Sequence, residues 1–167
     1  MNKIKILLVD DDEVDRELIR KSLKSLDAEV TEAATGAVCL ELIKAQEFGL
    51  ILLDHNLPDT TGLELITEIK KLTHAPVVIV TGFGNDDLVI ATNEAGVIDY
   101  IPKNRITPEF LTRTVLHALL ISKAQVEKEK REEEAAVHRE VFEEIIKLAK
   151  ERLEYYYNLD KIKSEKQ

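Results

Sequence analysis

From residue 4 to residue 105, short continuous apolar runs alternate with stretches in which apolar residues recur every three or four positions. Few folds accept that alternation. An apolar run of four to six residues with no polar partner in register reads as a strand buried on both faces, and helices on either side of a parallel sheet bury both. The runs are Ile4–Val9, a weaker one around Val30, Leu50–Leu53, Val77–Val80 and Val97–Ile101. Between them Val14, Leu18, Ile19 and Leu23 mark one helical face, Val38, Leu42 and Ile43 a second, Leu63, Ile66 and Ile69 a third, and Leu88, Val89 and Ala95 a fourth. The pattern predicts an α/β chain of five strands and five helices.

Local signals place the boundaries. Thr61-x-x-Glu64 is a capping box for the third helix, and Asn85-Asp86-Asp87 is an acidic N-cap for the fourth. Thr107-Pro108-Glu109 opens the fifth, with proline at the first helical position. From there to Gln167 neither glycine nor proline occurs, which predicts one long helix. Within its charged stretch Glu127/Arg131, Lys128/Glu132 and Lys130/Glu134 are spaced to pair one turn apart.

Charge and cysteine usage exclude some roles. Residues 1–120 carry 12 Lys/Arg against 20 Asp/Glu, and residues 121–167 carry 11 against 12, so the net charge of −9 belongs mostly to the first part. An acidic chain with no basic run is poorly suited to phosphate backbones, and DNA binding is not expected. Cys39, the only cysteine, sits between Val38 and Leu40 and reads as a core residue. The lone cysteine and the lack of a signal-type or membrane-spanning run give a cytoplasmic expectation, with no membrane partner.

In an open parallel sheet, ligands bind outside the carboxyl ends of the strands. Here the first strand ends in Asp10-Asp11-Asp12, the third in Asp54 and the fourth in Thr81-Gly82, while the fifth leads into Lys103. Clustered carboxylates repel unless a cation sits among them, and oxygen ligands favour a hard ion such as Mg²⁺. With such an ion, Asp54 can act as a carboxylate nucleophile toward a phosphoryl group whose charge Lys103 and the Thr81 hydroxyl stabilise. Asp12 and Glu13 fit a plainer task, complementing the N-terminal dipole of the first helix.

Val9-Asp10-Asp11, Leu53-Asp54-x-x-Leu57-Pro58-x-x-x-Gly62-Leu63, Val80-Thr81-Gly82 and Tyr100-Ile101-Pro102-Lys103 together resemble the receiver domain of two-component response regulators. The resemblance spans roughly residues 3–122. It implies a flavodoxin-like sheet of strand order 2-1-3-4-5, and phosphoryl transfer to Asp54 from a sensor histidine kinase or a phosphotransfer protein. It further implies Asp11, Asp54 and the Asn56 backbone carbonyl as Mg²⁺ ligands, with Asp10 acting through a bound water. Thr81 and Tyr100 are then the switch pair, Lys103 pairs with the phosphoryl group, and the surface of the fourth helix, fifth strand and fifth helix changes. Asn56 and Phe83 hold positions that tune dephosphorylation in that family. One departure is that Pro102 precedes Lys103, where the family has proline after the lysine. No enzymatic turnover is implied beyond self-phosphorylation and self-dephosphorylation at Asp54.

The division expected is a receiver over residues 1–122 and a helical extension over 123–167. The extension carries two adjacent apolar stripes: Val141, Ile145, Leu148, Tyr155, Leu159 and Ile162, beside Phe142, Ile146, Ala149, Leu153 and Tyr156. So wide a face predicts a coiled coil or bundle, and a homodimer through this helix. His138 lacks the longer signature of a kinase phosphoacceptor, and His55, His74 and His117 read as surface or satisfied histidines. Two other readings stand beside this one: a receiver-plus-linker piece of a larger hybrid kinase or cyclase, and a Mg²⁺-dependent phosphatase of the haloacid-dehalogenase type using Asp10-x-Asp12.

Overall fold

The computed structural model describes residues 3–82 and 96–164, with side chains as far as residue 155. Its strands are β1 (Ile4–Val9), β2 (Ala28–Ala33), β3 (Leu50–Asp54), β4 (Val77–Thr81) and β5 (Asp99–Pro102). The helices are α1 (Glu13–Ser22), α2 (Gly36–Ala45), α3 (Gly62–Leu72) and a long α4 (Pro108–Ser164). The helix expected around Leu88, Val89 and Ala95, with its Asn85-Asp86-Asp87 cap, lies outside the described residues, as does Phe83.

All strands are parallel in the order β2-β1-β3-β4-β5, the flavodoxin-like arrangement. Strand residues alternate between two cores because successive side chains point to opposite faces. Leu7, Val9, Ile51, Leu53, Val77 and Ile79 pack with Cys39, Ile43, Leu65, Ile66 and Ile69 of α2 and α3. Ile6, Leu8, Leu50, Leu52, Val78 and Val80 pack with Ile19 of α1 and with Leu111, Val115 and Ala118 of α4. The sheet is thus covered on both faces, as its uninterrupted apolar strands require. Each fully buried Leu, Ile or Val contributes about 1.5–3 kcal/mol relative to exposure.

β5 starts two residues later than its apolar run. Gly96 turns the chain with φ +74, and Val97 is buried in the α2/α3-side core just ahead of the ladder. The caps match the sequence signals: Thr61 and Glu64 close a reciprocal capping box, and the Thr107 hydroxyl accepts the N–H of Phe110. In α4, Glu127/Arg131 and Lys128/Glu132 come within 4.0 Å. The expected Lys130/Glu134 pair does not form, which costs little, since exposed ion pairs are worth a few tenths of a kcal/mol to about 1.

The chain divides into two compact units, Met1–Lys123 and Ala124–Gln167. Among the described residues no helix is long and apolar enough to cross a membrane.

Candidate functional site

Strand register assembles the site. Val9 stands opposite Leu53, so Asp10, the next residue, falls beside Asp54; Asp54 stands opposite Val80, and Thr81 ends the neighbouring strand opposite Pro102. Asp10 and Thr81 are buried, at 1% and 0% exposure, and Asp54 at 6%. Carboxylate oxygens of Asp10, Asp11 and Asp54 lie within 4.8 Å of one another, with Asp11 exposed at the mouth. This all-oxygen set of three carboxylates fits a hard divalent cation and would be costly with none to balance it. Asp10 sharpens the fit: burial pushes its carboxyl above the usual carboxylate range, against hydrogen bonding that lowers it.

Lys103, in the 3₁₀ turn after β5, reaches back into the group. Its Nζ is 2.7 Å from Asp10 Oδ2, 2.7 Å from Asp15 Oδ2 and 2.8 Å from Asp54 Oδ2. Burial works to lower its pKa, but the surrounding carboxylates outweigh that and hold it above the usual lysine value. The Asn56 N–H donates to Asp54 Oδ1 at 3.3 Å, fixing the first turn of the loop after β3. Tyr100, on β5 opposite Ile79, is partly buried against the α2/α3-side core, and burial pushes its hydroxyl pKa up.

Three features are not evident from the sequence pattern. Asp15, in the first turn of α1, accepts a hydrogen bond from Lys103 Nζ at 2.7 Å. Arg16 Nη1 donates to the Asp10 carbonyl at 2.8 Å while its Nε pairs with Glu32 at 3.0 Å, tying β1's end to β2. Asp59, in the loop after β3, accepts the N–H groups of Gly36 and Ala37 at 2.9 Å each, which holds its carboxyl below the usual range and anchors that loop to the start of α2. All three contacts join residues far enough apart in sequence, or on elements different enough, that no local spacing signals them. His55 also departs from expectation, because its buried Nδ1 has no hydrogen-bond partner among the described residues.

Asp12 is spent elsewhere. Its carboxylate accepts the N–H groups of Val14 and Asp15 as the N-cap of α1. The Asp10-x-Asp12 pair that a haloacid-dehalogenase-type phosphatase would aim at its substrate is therefore divided between the pocket and a helix cap.

A family model described as the response regulator receiver domain matches residues 6–115. The chemotaxis protein CheY of Pseudomonas aeruginosa is 33% identical over 104 residues, covering 60% of this chain and 84% of that protein. The transcriptional regulatory protein SrrA of Staphylococcus aureus is 32% identical over 98 residues, covering 59% of this chain but only 41% of SrrA. Among solved structures, a CheY-like receiver domain protein of Methanospirillum hungatei JF-1 superposes with a TM-score of 0.68 at 30% identity, covering 74% of this chain and 99% of that one. With its sheet order, its acidic pocket and these relatives in agreement, the chain belongs to the receiver domain family of two-component response regulators.

Proposed function

We propose that residues 1–122 act as a phosphorylation switch and that Asp54 is its phosphoacceptor. The observation that carries this reading is the convergence of three carboxylates within 4.8 Å, with an ammonium 2.8 Å from Asp54. The donor is a phosphohistidine on a sensor histidine kinase or phosphotransfer protein. A P–O bond to an Asp54 carboxylate oxygen forms as the P–N bond to the donor imidazole breaks, and the imidazole nitrogen keeps the electron pair.

Asp11, Asp54 and the Asn56 carbonyl would hold Mg²⁺, with Asp10 acting through its water, and the ion would supply charge neutralisation at the phosphoryl oxygens. Lys103 follows the negative charge from the Asp54 carboxylate to the new phosphoryl group. Thr81, buried at the end of β4, offers a hydroxyl to the same group, and Tyr100 on β5 turns inward behind it, changing the surface that β5 and its flanking helices present. The phosphoryl group thereby biases a two-state element through contacts it makes in only one state.

Output is through protein contacts, with no DNA-reading role and a cytoplasmic setting. Residues 123–167 act as a connector that self-associates. Support for this comes from Val141, Phe142, Ile145 and Leu148, all more than half exposed in a single chain.

The test is incubation with a small phosphodonor and Mg²⁺, followed by mass spectrometry of the intact chain. One phosphoryl group is expected, absent from Asp54→Ala. Unchanged labelling of that variant, or steady hydrolysis of unrelated phosphate esters, would overturn the reading.

A further inference from the structure

We propose that Asp15 is a positioning residue for Lys103, holding its ammonium so that Asp10 and Asp54 stay available to a divalent cation. This rests on the functional reading above and adds a residue to it.

The Lys103 ammonium stands within 2.8 Å of an oxygen from each of three carboxylates. The three are not equivalent. Lys103 donates aligned hydrogen bonds to Asp15 Oδ2 at 2.7 Å and Asp54 Oδ2 at 2.8 Å, whereas Asp10 Oδ2, at 2.7 Å, is an ion pair without an aligned hydrogen bond. Nor do they share the same second task. Asp10 and Asp54 belong to the group whose oxygens converge for a metal ion, and Asp15 does not. Among the described residues the Asp15 carboxylate pairs with Lys103 alone, and the α1 cap is made by Asp12.

Ammonium and cation therefore compete for Asp10 and Asp54, and among the described residues Asp15 is the partner of Lys103 outside that contest. Without it, the ammonium leans wholly on the two carboxylates the ion needs. A neighbouring negative charge that favours the ion is lost as well. Both effects weaken cation binding, and the first acts only through Lys103.

Calorimetric titration with Mg²⁺, and separately Mn²⁺, without a phosphodonor, separates them. The proteins are the full chain, Asp15→Asn, Lys103→Ala and the double variant, each checked for folding by far-UV circular dichroism. In the presence of Lys103, Asp15→Asn is expected to weaken cation affinity about tenfold, the lower end for residues that support metal ligands from outside. In the Lys103→Ala background the same change should matter less than about twofold, since the coupling runs through the missing ammonium. Equal losses in both backgrounds would reduce Asp15 to a bulk charge and overturn the proposal. So would wild-type affinity in Asp15→Asn, and in either case the phosphorylation switch stands. If the unaltered chain binds neither ion, both readings fall together.

Discussion

Lys103 is the residue on which the site's charge balance turns. Three carboxylates within 2.8 Å hold its pKa above the ordinary 10.5. A group whose folded-state pKa is raised adds stability that is fully present below the unfolded value and is lost as pH climbs through the folded one. Lys103→Met, compared with the unaltered chain by urea unfolding in chelator, is expected to lose about 3 kcal/mol at neutral pH, because it strands buried carboxylates. The gap should narrow only above about pH 10.5, where the unfolded chain's lysine also begins to lose its proton. A gap that is flat to pH 12, or absent at pH 7, would contradict this account of the site. The same residues show how far sequence carries at this scale. Asp10, Asp11, Asp54, Thr81 and Lys103 are legible because each ends an apolar strand or lies within two residues of its end. Asp15 is not, since an acid in a first helical turn is already explained by the helix dipole, and its contact with Lys103 joins positions 88 apart.

At the scale of elements, the loop from β3 to α3 does the most positioning. Asp59 straps it to the start of α2, the Gly62 N–H donates to the His55 carbonyl at 2.7 Å, and the capping box of Thr61 and Glu64 fixes the first turn of α3. A Cβ at Gly62 would lie 2.9 Å from His55 Cα and 3.2 Å from the Asp54 carbonyl, which is backbone that cannot rotate aside. Gly62→Ala is therefore expected to cost about 1–3 kcal/mol in urea unfolding, the usual range for overpacking. It should also lower the rate of Asp54 labelling, because the carbonyl it pushes on belongs to Asp54. A variant with wild-type stability and labelling would show that the loop yields. The capping box and the glycine were both readable as local signals, whereas the strap was not, because it ties residues on separate elements. Strand existence was equally readable, but the start of β5 was not: Val97 belongs to the apolar run, yet the turn at Gly96 sends it into the core before the ladder begins.

At the scale of the whole chain, the question is what covers the apolar stripe of the second unit. Most helical stability in proteins comes from packing an amphipathic face, not from propensity alone. Among the described residues of Ala124–Gln167 there is one helix and no second element for it to pack on, yet Val141, Phe142, Ile145, Leu148, Leu153 and Tyr155 are 54–70% exposed. The nearly balanced charge of residues 121–167, 11 basic against 12 acidic, puts little repulsion in the way of a second copy. The self-association proposed for this helix predicts a homodimer, for which light scattering of the full chain should return about twice the 18.9 kDa of one chain. Replacing Ile145 and Leu148 together by glutamate places charge in the middle of the stripe and should return the mass to that of one chain. Because neither residue is near the acidic pocket in sequence or belongs to its unit, labelling of Asp54 by a small phosphodonor should be unchanged in the same variant. A monomeric mass for the unaltered chain at working concentration would sink self-association through this helix. Loss of labelling in the glutamate variant would instead mean that the connector's association state feeds back on the switch.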